Sequence, residues 1–121
     1  LHARAAYAWS VETSIYVKKD KKNSGIGRAL YTSLEKALAA QNMTNLNACI
    51  ASPVTDDEYL NHNSIQFHTH LGYSMIGEFH KCAYKFGRWY NMVWMEKMIA
   101  DHPDKQPEVI PFGQIPPEIY C

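Results

Sequence analysis

From Ala6 to Val17 the chain alternates: Tyr7, Trp9, Val11, Thr13, Ile15 and Val17 fall on one face, Ala8, Ser10, Glu12, Ser14 and Tyr16 on the other. A period of two built from β-branched and aromatic residues predicts a strand. The polar run "KKDKKNSG" breaks it. Ile26, Leu30, Leu34, Ala37 and Leu38 then fall at i, i+4, i+8, i+11 and i+12, which predicts one apolar stripe of a helix from Gly25 to Gln41. "LNACIAS" reads as a second strand, and "PVTDDEYL" as a loop marked by Pro53 and an acidic pair. Asn61 to Leu71 reads as a short helix stopped by Gly72. "YSMIGEFHKCAYKF" and "WYNMVWMEKMI" read as two further strands joined around Gly87 and Arg88. The stretch from Asp101 to Cys121 carries five of the six prolines and reads as irregular. The order β–α–β–α–β–β predicts an α+β fold with an α/β-type mixed sheet, residues 1–100 forming the domain and 101–121 a Pro-rich tail.

Composition narrows the function. With 121 residues, 46% of them hydrophobic, the chain suits one domain with a modest core. Twelve Lys and Arg against twelve Asp and Glu give a formal net charge of zero. That argues against nucleic-acid binding by bulk phosphate neutralisation, so any anion site must be local. Cys49, Cys82 and Cys121 are odd in number and show no CxxC spacing, which fits reduced cytosolic thiols better than a disulfide framework. No 18-residue apolar run and no signal-peptide pattern appears, so a soluble cytoplasmic protein is expected, without membrane partners. The chain starts at Leu1 and reaches a strand almost at once, as a piece of something longer would.

Three places offer chemistry. "KKNSGIGRAL" puts Gly25 and Gly27 between a strand and a helix, where loose backbone and the positive end of the helix dipole favour a phosphorylated ligand. A Walker A loop is excluded because no Gly-Lys-Ser/Thr follows, and a Rossmann loop because the third glycine is missing. An ordinary βα turn is the competing reading. Glu12 sits on the polar face of the first strand, as an exposed carboxylate or as a proton acceptor. His68 lies near His62 and His70, but i and i+2 diverge on a helix and no fourth ligand is evident, so no metal is expected. Asn61, Ser64 and His68 at i, i+3 and i+7 share a face instead.

These motifs together resemble the GCN5-related N-acetyltransferases (GNAT). Lys22-Asn23-Ser24-Gly25-Ile26-Gly27 is similar to the family's Gln/Arg-x-x-Gly-x-Gly/Ala signature, with Lys in the first position. Asn61-x-x-Ser64-x-x-x-His68-x-x-x-Gly72-Tyr73 is similar to its later helix, with His68 where Tyr is usual. That exchange, "WSVETSIYV" upstream and "YKFGRWYNMVWM" downstream resemble the phosphinothricin and methionine sulfone N-acetyltransferase branch. The loop before Asn61 is longer than usual, and the elements that precede the first strand in the family are missing here.

The resemblance implies acetyl-CoA as acetyl donor and the amine of a small amino acid as acceptor. It implies that Lys22, Asn23, Ser24, Gly25, Ile26, Gly27 and Arg28 cradle the CoA pyrophosphate, with Lys21 adding charge. Ile15, Tyr16 and Val17 would pair with the pantetheine arm, and Asn61 would hydrogen-bond it. Glu12 and His68 are the implied proton-transfer residues. Arg4, Tyr7, Lys85 and Arg88 are candidates for substrate binding, and the family is commonly dimeric. The competing function is a truncated, non-catalytic CoA-binding or interaction module that pairs with another chain.

Overall fold

The computed structural model describes residues 5–13, 25–54 and 63–121. The last four residues of the first expected strand, nearly all of the polar run after it, most of the acidic loop, and Asn61 lie outside the described residues. Among the described residues, four strands hydrogen-bond in the order β1-β2-β4-β3 as a mixed sheet, with two helices, and the chain divides into two compact units. One comprises Leu1–Leu46 with Met98–Cys121, the other Asn47–Lys97.

In the first unit a 3-10 turn, Ala5–Tyr7, precedes strand β1, Ser10–Glu12. The strand therefore starts later than the alternation from Ala6 predicts. Tyr7 is exposed, so continuing the strand through it would bury little. Helix α1, Ile26–Ala40, has Gly25 as its N-cap and Gln41 as its C-cap, matching the expected span. Its packing differs from the expected stripe. Ala37 and Leu38 are buried, but Ile26, Leu30 and Leu34 are 41%, 48% and 37% exposed. Tyr31, absent from that stripe, is almost fully buried and takes a hydrogen bond with Thr13, itself buried. The inward face is thus set by what lies against the helix rather than by its most apolar residues.

Strand β2, Asn45–Pro53, follows a turn in which Asn42 adopts φ 69°. It alternates inward through Leu46, Ala48 and Ile50, which is why "LNACIAS" reads as a strand at all.

In the second unit, helix α2 spans Asn63–His70 and ends at Gly72, whose φ of 97° suits a residue without a Cβ. Strands β3, Ser74–Lys85, and β4, Arg88–Met98, pair antiparallel from Ser74↔Glu96 to Lys85↔Arg88. Phe86 at φ 54° and Gly87 at φ 72° form the two-residue turn, whose twist matches that of the strands. Arg88, expected in the turn, already belongs to β4. The register shifts between Phe79 and Ala83, where Lys81 adopts φ 47° and its N–H donates to Asn91 Oδ1 at 2.8 Å. Such a bulge lets one strand carry extra residues without losing the pairing beyond it. Tyr90, Val93 and Met95 of β4, with Ala48, Ile50 and Tyr73, form the core of this unit.

Candidate active site

The first unit carries the candidate anion site. Gly25 adopts φ 86°, and its carbonyl accepts the Ala29 N–H at 3.0 Å, closing the first turn of α1. No side chain caps the helix, and its first turn holds no acidic residue. The leading N–H groups of a helix have no partner within it, so they favour an anion at this end. Among the described residues, a Cβ built on Gly25 would meet nothing within 4 Å. Arg28 adds a positive charge in the same turn. This donor set fits a phosphorylated group. Lys22, Asn23 and Ser24, expected to complete the cradle, lie outside the described residues.

Glu12 is exposed at the end of β1, two positions after Ser10. A carboxylate there is reachable by a small molecule, whereas its neighbour Thr13 points inward to Tyr31. Burial raises the Tyr31 pKa above its ordinary value, and the negative charge of Glu35 adds to this, while the Thr13 hydrogen bond opposes it. Thr13, Tyr31 and Glu35 form a polar group that sequence reading missed. No periodic signal marks it, because a tyrosine on a helix reads equally well as surface or core.

The second unit carries His68. It is buried, and its ring meets Phe67 and Tyr73 edge-on at centroid distances of 5.6 and 5.1 Å. Its Nδ1–H donates to the Ser64 carbonyl at 2.7 Å. That bond assigns the proton to Nδ1 and leaves the basic lone pair on Nε2. Burial lowers the His68 pKa, with the Ser64 hydrogen bond acting the other way. The neutral form of the imidazole is thereby favoured. Ser64, expected as part of a shared face, acts here through its backbone oxygen. His70 is exposed and bonds the Gln66 carbonyl at 2.8 Å by the same i−4 geometry. Among the described residues, no group of three or more His, Cys, Asp and Glu is placed to hold a metal.

Of the remaining candidates, Tyr7 is exposed in the first unit, while Lys85 and Arg88 flank the hairpin turn in the second. Lys85 Nζ lies 5.0 Å from the centre of the Phe86 ring. Arg4, Ile15, Tyr16, Val17 and Asn61 lie outside the described residues.

Residues 1–94 match the family model of the acetyltransferase (GNAT) domain. The chain belongs to the GNAT family. This GNAT chain is 38% identical over 95 residues to a phosphinothricin N-acetyltransferase of Streptomyces coelicolor, covering 78% of this chain and 52% of that protein. It is 32% identical over 87 residues to an L-methionine sulfoximine/L-methionine sulfone acetyltransferase of Pseudomonas aeruginosa, covering 72% of this chain and 46% of that one. Among solved structures it resembles a GNAT superfamily phosphinothricin acetyltransferase of Sinorhizobium meliloti in complex with AcCoA. The TM-score is 0.76 at 27% identity, over 92% of this chain and 57% of that one. The resemblance read from the motifs is borne out at the level of family and branch. The GNAT chain spans about half the length of the curated relatives it matches.

Proposed function

We propose that this GNAT chain transfers acetyl from acetyl-CoA to the amine of a small amino acid or analogue of the phosphinothricin or methionine sulfoximine kind. The observation that carries this reading is His68: a buried, neutral imidazole with its tautomer held by the Ser64 carbonyl. An amine attacks only when unprotonated, and with a pKa of ~8 about a tenth of it is neutral at pH 7. A fixed neutral base answers that requirement. The relatives' names and the uncapped, glycine-led start of α1 support acetyl-CoA as the donor.

Acetyl-CoA supplies an activated acyl group as a thioester. The amine nitrogen forms a bond to the acetyl carbon, the carbon–sulfur bond breaks, and CoA leaves as the thiolate. Glu12 accepts the amine proton directly or through water, and His68 accepts or returns a proton at Nε2. Gly25, Ile26, Gly27 and Arg28 hold the pyrophosphate through backbone N–H groups and charge, with Lys22, Asn23 and Ser24 extending the cradle. Ile15, Tyr16, Val17 and Asn61 hold the pantetheine arm. Arg4, Tyr7, Lys85 and Arg88 bind the acceptor's anionic group. Cys49, Cys82 and Cys121, odd in number and without CxxC spacing, support a reducing, cytoplasmic setting, and the apolar exposure along β3 supports a homodimer.

The exposed stripe Ile26, Leu30 and Leu34 favours a second reading, in which the chain binds CoA and docks on another polypeptide without turnover. Titration with acetyl-CoA and a panel of amino acids, following free thiol, separates the two. Thiol release that depends on an amino acid supports transfer; CoA binding with no release across the panel supports the docking module. Glu12→Gln and His68→Ala should each lower kcat by roughly 10²-fold or more, with acetyl-CoA affinity nearly unchanged. Full kcat in both variants across pH 6–9 would remove them from the mechanism.

A further inference from the structure

The family match ends at residue 94, yet residues 99–121 are bound into the first unit at point after point. The Ile99 N–H donates to the Thr44 carbonyl at 2.9 Å, and His102 Nε2 lies 2.7 Å from Asn45 Oδ1. Gln106 Nε2–H donates to the Asn42 carbonyl at 3.0 Å, and Asn42 Nδ2–H returns a bond to the Glu108 carbonyl at 2.8 Å. Gln41 and Ile110 exchange two bonds, each of 3.1 Å. Further on, Ile115 is buried, the turn Pro117–Ile119 packs on α1, and the Ser33 hydroxyl donates to the Tyr120 carbonyl. Prolines along this stretch limit the unfolded chain, so ordering it costs less entropy.

Between Gln106 and Glu108 stands Pro107, whose carbonyl accepts the Trp9 indole N–H at 2.9 Å. Trp9 is held from its other side as well. Its own carbonyl accepts the Thr44 and Asn45 N–H groups at 3.0 and 3.2 Å. Immediately after it comes β1, only three residues long and ending at Glu12. Its neighbour in the sheet is β2, and Trp9 stands directly before this ladder begins.

We propose that residues 99–121 form a strap that fixes the start of β1 through Trp9, making Trp9 a positioning residue for Glu12. The catalytic part of this inference rests on the acetyl-transfer reading; the mechanical part does not. The strap holds the Pro107 carbonyl still by pairing with Asn42 and Gln41 on either side. The indole then joins that fixed acceptor to β1. Glu12 follows Trp9 by three residues, so loosening the anchor lets the carboxylate sample more positions.

Trp9→Phe keeps the ring and removes the N–H; Gln106→Ala loosens the strap beside Pro107 and leaves Trp9 intact. Hydrogen exchange by mass spectrometry would follow residues 8–13 against residues 74–98 in the full chain. Losing one net hydrogen bond should speed exchange at 8–13 by about 3- to 10-fold in Trp9→Phe, with a smaller rise in Gln106→Ala and none at 74–98. Turnover should show a kcat several-fold lower in Trp9→Phe at an unchanged KM for acetyl-CoA. Unchanged exchange at 8–13 in both variants, or an equal rise at 74–98, would overturn the strap. Faster exchange at 8–13 with kcat intact would overturn the positioning role. If the unsubstituted chain releases no thiol with any amine, the acetyl-transfer reading fails, and the exchange measurement still decides the strap.

Discussion

The strapped start of β1 and the β3–β4 hairpin solve the same problem in different ways. At the start of β1, sequence-distant polar bonds add to the pairing with β2: Trp9 to Pro107, Asn42 to Glu108, Gln41 to Ile110. In the hairpin it comes from local geometry, namely a two-residue turn at positive φ and a ladder with a bulge at Lys81. The hairpin spends little of its apolar surface. Met75, Ile76, Phe79, Tyr84 and Trp89 are all more than half exposed, while Tyr90, Val93 and Met95 are essentially sealed. Two strands of similar hydrophobicity thus do unequal work. Of the two, β4 supplies the core; β3 supplies a backbone ladder and leaves its side chains exposed in the single chain.

The sharpest way to break that contrast is to truncate both strands. Met95→Ala should cost about 2–5 kcal/mol, because it empties a sealed site, whereas Phe79→Ala should stay within about 0.5 kcal/mol. Urea denaturation measures both. These values hold at dilution, where the chain is monomeric, and comparable losses there would refute the contrast; a Phe79→Ala loss that grows with protein concentration is what the homodimer of the proposed function requires.

Next in size is the turn. Gly87 at φ 72° has nothing within 4 Å of a built Cβ, so Gly87→Ala would cost only what the backbone conformation costs. About 1 kcal/mol is expected, again by urea denaturation. A neutral result would mean that the turn relaxes to another type.

The smallest effect is in pH. His68 has a lowered pKa in the folded protein, so between that value and the ordinary 6.5 the unfolded chain binds more protons. Stability should fall as pH drops through that window, and His68→Gln should flatten the fall. Tyr31 has a raised pKa, so above its ordinary value of 10.0 the unfolded chain releases its proton first. Stability should then fall as pH rises, less so in Tyr31→Phe. The two units would carry opposite pH sensitivities. Melting temperatures across pH 4–11 test this, and slopes identical in variant and parent would refute it.

Local rules made much of this chain legible. α1 could be bounded at Gly25 and Gln41 because a glycine entry and a five-residue apolar stripe leave few alternatives. The hairpin was legible from two apolar runs around Gly87, although the turn includes Phe86, a bulky residue at positive φ that no propensity favours. Of the candidate site, the Gly25 start of α1 and the helix bearing His68 were readable from spacing. Which nitrogen of His68 is basic was not, since this depends on the Ser64 carbonyl, a backbone atom with no sequence signature.

The sequence by itself determined the element order, the family and the residue types offered for chemistry, because period, glycine placement and motif spacing are local properties. Tertiary structure alone decided which apolar residues are buried. Tyr31 rather than Leu30 faces inward, since burial depends on what packs against a helix and not on the helix's own hydrophobicity. It also decided that the proline-rich stretch is part of the first unit. Its anchoring bonds run from side chains to backbone carbonyls, and a carbonyl looks the same at every position of a sequence until the fold brings a donor to it.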